Sequence, residues 1–91
     1  MTVDALSDLD QIAAEGARQF GYRQSEVYEI RLGEALDNLA ANPYLGPERQ
    51  TSSGTARLMP CGAHNILYVI ESEDVLILRV LHGLQNWFDL L

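Results

Sequence analysis

Apolar residues recur at steps of three and four along the first part of the chain, up to about residue 42. This spacing places them on one side of an α-helix and therefore predicts helical structure. Thr2 or Asp4 is suited to cap the start of the first helix, and Gly21 is suited to end it, because glycine accepts the left-handed conformation found after many helix ends. The stripe of this helix consists of Leu6, Leu9, Ala13, Gly16 and Phe20, with Ile12 beside it.

A second helix is predicted to begin at Ser25, a good N-cap residue, and to end at Asn42. It ends there because Pro43 disfavours helical backbone in the residue before it. The short connection of residues 21–24 favours an antiparallel helical hairpin. The apolar face of the second helix is formed by Tyr28, Leu32, Ala35, Leu36 and Leu39, and it is widened by Val27 and Ile30.

The pattern becomes strand-like after residues 43–54, which are rich in proline, glycine and polar side chains. Three strands are predicted, over Thr55–Met59, His64–Glu71 and Val75–Leu81. Apolar residues occupy both parities of the second and third strands, so both faces of the sheet are expected to be at least partly covered. The chain therefore predicts one α+β domain, residues 1–91, in which an N-terminal antiparallel helical hairpin packs on a three-stranded antiparallel sheet.

The charge balance argues against two classes of function. Thirteen acidic residues stand against six basic ones, all arginine, and the formal net charge is −7. This balance argues against direct binding to nucleic acid, which uses many Lys and Arg contacts to phosphate, and against docking onto an anionic membrane. No apolar run approaches the roughly 20 residues of a membrane span, and the start of the chain does not resemble a signal peptide. Cys61 is the one cysteine of the chain, so it cannot form an internal disulfide. A cytoplasmic location is expected.

Two arginines interrupt the predicted strands and are candidate site residues. Regular alternation places Arg79 on the sheet face of Val75, Ile77 and Leu81. Burial of an unpaired guanidinium is costly, so this face is expected to be open to water, to a partner or to a carboxylate. If Arg79 and Arg57 both lie on the face away from the helices, they form a positive site on an acidic protein. The alternative is a surface or salt-bridged role for each.

The chain has two histidines, and His82 is the candidate for proton transfer. Alternation places His82 on the face opposite Arg79 unless the strand ends or bulges at Leu81, and a structural role in the loop is its alternative. His64 is expected to organise the turn before its strand. The sequence has no phosphate-binding glycine loop, nucleophile elbow or cluster of metal ligands, so neither a cofactor nor a metal is expected.

The C-terminal segment, residues 84–91, is apolar and carries the chain's one tryptophan. It is expected either to cover a face of the fold or to bind a partner, because Trp and Phe are good interface anchors. The candidate contact residues are Trp87, Phe88, Leu90 and Leu91.

Five segments follow one another along the chain: LSDLDQIAAEGARQFG, LGEALDNLAANPYLGPER, TARLMP, AHNILYVI and ILRVLHGLQ. In this order they resemble the ParE/RelE superfamily of bacterial toxins. ILRVLHGLQ after YVIES resembles the C-terminal signature of that family, and RVLHGLQ favours the ParE branch. Gly54-Thr55-Ala56-Arg57 resembles its glycine-x-arginine element, which precedes an H-x-I-x-Y strand. The helical matches are LSDLDQIAAEGARQFG and LGEALDNLAANPYLGPER.

This resemblance implies the toxin of a type II toxin–antitoxin module, neutralised by a cognate ParD-like antitoxin. The expected action is inhibition of DNA gyrase by binding, without bond cleavage. The first alternative is a ribosome-dependent mRNA endoribonuclease of RelE type, in which Arg57 and Arg79 match two sheet arginines that stabilise the cleaved phosphate and His82 is an acid or base. The second alternative is a degenerate, non-toxic member that retains antitoxin binding.

Three departures from the superfamily bear on this choice. The chain lacks the lysines of the RelE-like basic groove, and it ends in Asp89-Leu90-Leu91 where nuclease members carry a catalytic tyrosine. The first strand of the family fold has no counterpart in this sequence, because the first predicted helix begins close to Met1. Either the strand is absent, or this start is internal to a longer parent protein. An open sheet edge is therefore expected, which a partner can cover by adding a strand.

Overall fold

The computed structural model describes residues 1–52 and 54–83 and has an α+β architecture. One helical element, α1 (Val3–Ala41), precedes a four-stranded antiparallel sheet in the order β1-β2-β3-β4. The strands are β1 (Glu48–Thr51), β2 (Gly54–Cys61), β3 (His64–Glu71) and β4 (Asp74–His82). The α+β class is confirmed, and the predicted number of strands is wrong.

Gly21 divides α1 into two segments, residues 3–20 and 22–41. Its backbone has φ 84° and ψ 163°, a conformation that is not helical. The segments meet in space, since the Ser25 hydroxyl donates to the Ala13 carbonyl at 3.2 Å. A Cβ atom on Gly16 would lie 2.8 Å from the Ser25 oxygen. The structure differs in detail from the predicted hairpin. Gly21 alone interrupts the helix, whereas residues 21–24 were expected to form a connecting loop.

The strand missing from the prediction is β1, which reads Glu-Arg-Gln-Thr and carries no apolar alternation. It is an exposed edge strand that pairs with Gly54–Arg57 of β2. The prediction of a strand end before Pro60 was also wrong, because β2 continues through Pro60 to Cys61. The β1 partners end at Arg57, so the missing N–H of Pro60 removes no bond to β1.

The sheet has an apolar core on each face, as the mixed parities predicted. The core toward α1 contains Leu32, Leu39, Ile66, Tyr68, Ile77 and Val80. The second cluster consists of Ala56, Leu67 and Leu81, with Leu58 and Val69 beside it. Neighbouring residues of β3 alternate between the two clusters, so the clusters lie on opposite faces.

A bulge in β4 changes which residues share a face. Leu67 pairs with Arg79, whereas the next residue of β3, Tyr68, pairs with Ile77, so Leu78 is the extra residue of β4. Ile77 and Val80 therefore lie on the same face, in the core toward α1. The prediction that Arg79 shares a face with Val75 and Ile77 was wrong for this reason.

The outer edge of β4 is bound by the start of the chain. Among the described residues no strand precedes α1, as the sequence indicated. Instead, the Thr2 N–H donates to the Ile77 carbonyl at 3.0 Å, and the Thr2 hydroxyl donates to the Leu78 carbonyl at 2.7 Å. Thr2 also caps α1 by accepting a bond from the Ala5 N–H. The expected open edge is thus partly closed by the chain itself.

Candidate functional site

Arg79 forms a bidentate ion pair with Asp8 of α1. Its Nε and Nη2 atoms lie 2.8 and 2.9 Å from the two carboxylate oxygens of Asp8, and the Val80 N–H donates to the same carboxylate at 2.9 Å. Burial by itself raises the pKa of Asp8, but the hydrogen bonds from Arg79 and Val80 outweigh it and the pKa is lowered. The bond to Asp8 in turn raises the pKa of Arg79. Arg79 was expected to face water, a partner or a carboxylate, and the structure shows that it faces the carboxylate of Asp8.

Arg57 binds the loop between α1 and β1. Its Nη1 donates to the Gly46 carbonyl at 2.7 Å, and its Nη2 lies 3.2 Å from a carboxylate oxygen of Glu48. The guanidinium carbon also lies 4.9 Å from the centre of the Tyr44 ring, a cation–π contact. Tyr68 fixes the same loop, because its hydroxyl donates to the Pro43 carbonyl and accepts from the Gly46 N–H.

The two arginines do not converge on one face of the sheet. Arg57 pairs with Tyr68 and Arg79 pairs with Leu67, and these neighbours in β3 point to opposite faces. The side chain of Arg57 therefore leaves the sheet on the face toward α1, and the side chain of Arg79 leaves it on the opposite face. The hypothesis of a shared positive site on the face away from the helices is wrong, and the cause is the actual register with its bulge.

His82 belongs to a group with His64 and Tyr28. The histidines are opposite each other in β3 and β4, and their ring centroids lie 5.5 Å apart in an edge-to-face arrangement. The Tyr28 hydroxyl lies 2.6 Å from Nδ1 of His64, donates to the Cys61 carbonyl at 3.1 Å and accepts from the Ala63 N–H at 3.1 Å. Tyr28 thus binds the backbone of the turn before β3, and His64 is connected to that turn through the Tyr28 hydroxyl.

Burial shifts the pKa of both His64 and Tyr28. It lowers the pKa of His64, and the nearby His82 lowers that pKa further. Burial also raises the pKa of Tyr28. One proton arrangement satisfies all three Tyr28 contacts: the hydroxyl donates to Cys61 and accepts from the N–H groups of Ala63 and His64. This arrangement leaves Nε2 of a neutral His64 as an acceptor.

A groove of about 700 Å³ between the two α1 segments and the end of the sheet brings Arg79 and His82 together. His82 extends β4 with regular alternation, on the face of Val80, whereas the Arg79 side chain reaches around the strand edge to Asp8. The two residues therefore share the groove without a break in the strand at Leu81. The groove is lined by Asp8, Gln11, Ile12, Glu15, Gly16, Gln19, Phe20, Gln24, Ser25, Tyr28, Ala63, His64, Arg79, Val80 and His82.

Sequence reasoning missed the roles of Asp8 and Phe20 at this groove. Asp8 lies one helical turn before Ile12, at the border of the apolar stripe of the first segment, and an acid beside such a stripe is a signal that it has a buried partner. Phe20 was assigned to the stripe, yet it is 64% exposed at the end of the segment. An exposed aromatic ring beside a groove is typical of binding surfaces.

Several expectations fall outside these contacts. The predicted contact residues Trp87, Phe88, Leu90 and Leu91 lie outside the described residues. Within residues 1–52 and 54–83, the His, Cys, Asp and Glu side chains form no group of three or more that could hold a metal ion. In the same ranges, α1 lacks a stretch that is long and apolar enough to cross a membrane.

Comparisons with known proteins identify relatives over most of the chain. The family described as "ParE toxin of type II toxin-antitoxin system, parDE" matches residues 1–87. Toxin ParE3 of Caulobacter vibrioides is 29% identical over 79 residues, covering 87% of this chain and 79% of that protein. Toxin ParE1 of Mycobacterium tuberculosis is 32% identical over 65 residues, covering 70% of this chain and 66% of that protein.

A solved structure has the same fold. It is titled "Chromosomal ParDE TA system from P. aeruginosa", and it superposes on this chain with a TM-score of 0.76. The match covers 89% of each chain at 19% sequence identity. The likeness therefore extends to the helical element and the antiparallel sheet.

Proposed function

The chain belongs to the ParE toxin family of type II toxin–antitoxin systems, and from this premise we propose that it inhibits DNA gyrase by binding and that a ParD-like antitoxin neutralises it. The proposed action involves no bond cleavage by the chain. In this proposal the protein stabilises a gyrase–DNA intermediate. The proposed location is the cytoplasm, where gyrase and DNA are found.

The observation that carries this proposal is the engagement of both candidate arginines within the fold. Arg79 is paired with Asp8, and Arg57 is paired with Glu48 and bound to the Gly46 carbonyl. A phosphate ligand would have to displace these partners, and the two arginines start from opposite sheet faces. With a net charge of −7 and no lysine, the chain is better suited to a protein target than to RNA.

For the antitoxin, the groove between α1 and the sheet is the proposed contact. Ile12 and Phe20 supply apolar surface there, and Glu15 supplies negative charge, whereas the Asp8 carboxylate is already paired with Arg79. An amphipathic segment with a basic side chain fits this combination. Trp87 and Phe88 are further proposed contacts, to the antitoxin or to gyrase.

An assay with purified gyrase tests the toxic activity. The protein is expected to reduce supercoiling and to trap cleaved DNA, and addition of the antitoxin should reverse both effects. Unchanged supercoiling without trapped cleavage complexes at micromolar protein would reject gyrase as the target. Thermal melting with and without the antitoxin tests the partner, because a ligand of the native state raises the melting temperature. An unchanged midpoint would contradict antitoxin binding.

One observation favours ribosome-dependent RNA cleavage as a second candidate. The groove contains Tyr28, His64 and His82 within one contact network, and the Arg79 side chain lines the same space. Histidine and tyrosine are suited to proton transfer at a ribose hydroxyl and a leaving oxygen. Primer extension after induction should then show cuts within translated codons that are lost in His82→Ala. Intact transcripts would reject this candidate.

A further inference from the structure

A stripe of four exposed residues runs along the second segment of α1. Its members follow one another at steps of four, three and four, which is the spacing of the contact seam of a coiled coil. Val27 is 61% exposed and Ile30 is 56% exposed, whereas Leu32 and Leu39 of the same segment are buried against the sheet. The stripe therefore lies on the side of the segment away from the core. It consists of Arg23, Val27, Ile30 and Glu34.

The two charged ends of the stripe have no ionic partner within the described parts of the chain. The salt bridges found there join Arg18 to Glu15, Arg57 to Glu48 and Arg79 to Asp8. Arg23 and Glu34 take part in none of them. An apolar centre with a positive residue at one end and a negative residue at the other has the composition of a helix–helix contact.

We propose that this stripe pairs with the same stripe of a second copy of the chain, in antiparallel orientation about a two-fold axis. The axis passes midway between Val27 and Ile30, so Val27 of each copy meets Ile30 of the other. The same operation places Arg23 of each copy against Glu34 of the other. The stripe is thus self-complementary in its apolar contacts and in its charge, which is what a two-fold interface requires.

Charge also selects the orientation. A parallel pairing in register would place Arg23 against Arg23 and Glu34 against Glu34, and both contacts are repulsive. The antiparallel pairing forms two opposite-charge contacts for each dimer. The stripe spans about 16 Å at 1.5 Å per residue, and the whole segment, residues 22–41, is about 30 Å long, so two segments can lie side by side along the full stripe.

The interface is small, so the dimer is weak. Two apolar side chains per copy and two exposed charge pairs correspond to the low end of interface size, where association is transient. The groove is left open by this pairing, since Ser25 and Tyr28 of the same segment line it from another side of the helix. Self-association is therefore compatible with antitoxin binding in the groove and does not depend on the identity of the toxin's target.

Sedimentation equilibrium of the purified chain at low ionic strength tests the proposal, with helix content checked by circular dichroism. We expect a monomer–dimer equilibrium that weakens as salt is added. Arg23→Glu and Glu34→Arg should each raise the dimer dissociation constant by about 10-fold or more, since both contacts become repulsive. The double variant should restore the constant to within about 3-fold of the parent, because the charges are again complementary.

A mixture of the two single variants makes the test sharper. One variant carries glutamate at both ends of the stripe and the other carries arginine at both ends, so together they should form a mixed dimer more readily than either forms its own. The controls Asp10→Arg and Arg49→Glu make the same charge changes at exposed positions outside the stripe and should leave dimerisation unchanged. A monomeric parent at millimolar concentration, or a double variant as weak as the singles, would overturn the proposal.

An apolar variant tests the centre of the stripe separately. Ile30→Ser should abolish dimerisation while the circular dichroism spectrum is retained, because the side chain is exposed in the single chain. Val3→Ser, at an apolar residue that is 81% exposed in the first segment, is the matched control and should not affect dimerisation. Equal effects of the two substitutions would place the contact elsewhere and overturn the proposal.

Discussion

The Arg79 guanidinium of β4 holds the Asp8 carboxylate of α1 in a bidentate ion pair, at 2.8 and 2.9 Å. The same carboxylate accepts a hydrogen bond from the Val80 N–H. One helix side chain therefore pairs with the Arg79 charge and also with a backbone donor at the edge of β4. These contacts join residues that are 71 and 72 positions apart in the sequence. Asp8 is therefore a direct link between the first helical segment and the sheet.

Asp8→Ala should lower the free energy of unfolding by about 2–4 kcal/mol, because it leaves the Arg79 charge and the Val80 N–H without their partner. Glu15→Ala is the matched control, since Glu15 forms an exposed pair with Arg18 and its loss should cost at most about 0.5 kcal/mol. Urea denaturation of the two variants measures both values. Equal destabilisation would show that the Asp8 contacts add nothing beyond a surface pair.

The stability of the protein should fall as the pH is lowered through the range in which histidine titrates. The pKa of His64 lies below the ordinary value of 6.5, so the unfolded chain binds a proton that the folded protein resists. The unfolded state therefore holds more protons in this window, and stability rises with pH. Urea midpoints should decrease from pH 7 toward pH 5.

His64→Gln should make this decrease shallower, because glutamine does not titrate. In His82→Gln, NMR titration should show the His64 pKa moving upward, since the charge of His82 no longer opposes protonation, while burial still holds it below the ordinary value. A slope that is unchanged in His64→Gln would assign the pH dependence to other groups.

Tyr28→Phe should destabilise the protein by about 1–3 kcal/mol. The hydroxyl contacts the Cys61 carbonyl, the Ala63 N–H and His64, and its loss leaves these partly buried groups without their partner. Tyr22→Phe makes the same chemical change at a residue that is 85% exposed, and it should be nearly neutral. Thermal unfolding of both variants gives the comparison, and similar melting temperatures would contradict a stabilising role for the Tyr28 network.

Gly21→Ala should destabilise the protein by about 1–3 kcal/mol, because φ 84° with ψ 163° is a conformation that an alanine side chain disfavours. Gly33→Ala is the opposite case. It lies within the second helical segment with open space around the added carbon, and it should stabilise the protein by about 0.5–1 kcal/mol. Calorimetry on the pair separates backbone strain from a general effect of glycine replacement. Equal destabilisation by both would contradict backbone strain as the cause of the effect at Gly21.

Much of the fold could be predicted from local signals in the sequence. Gly21 marks the break in the helix, and the continuous run of β-branched, aromatic and other apolar residues marks β3 and the core it supplies. β1 could not be predicted in the same way, because Glu48–Thr51 is polar throughout and is a strand through its pairing with β2. An edge strand without an apolar face has no periodic signal.

The candidate site was harder to predict, because it depends on long-range register. Nothing in the residues around Leu78 indicates a bulge, yet that one extra residue places Arg79 on a different face from Ile77. The sequence did indicate that Arg79 needs water, a partner or a carboxylate, because burial of an unpaired guanidinium is costly. Its partner Asp8 follows from the three-dimensional arrangement alone.

Supercoiling and DNA cleavage by purified gyrase, measured with increasing amounts of the protein, decide whether the chain inhibits this enzyme. We expect loss of supercoiling together with trapped cleavage complexes, both reversed by the cognate antitoxin. Arg57→Ala, once shown to be folded, should retain this effect, since the proposed action does not use a phosphate site. Full supercoiling with no trapped cleavage complex at micromolar protein would reject gyrase inhibition by this chain.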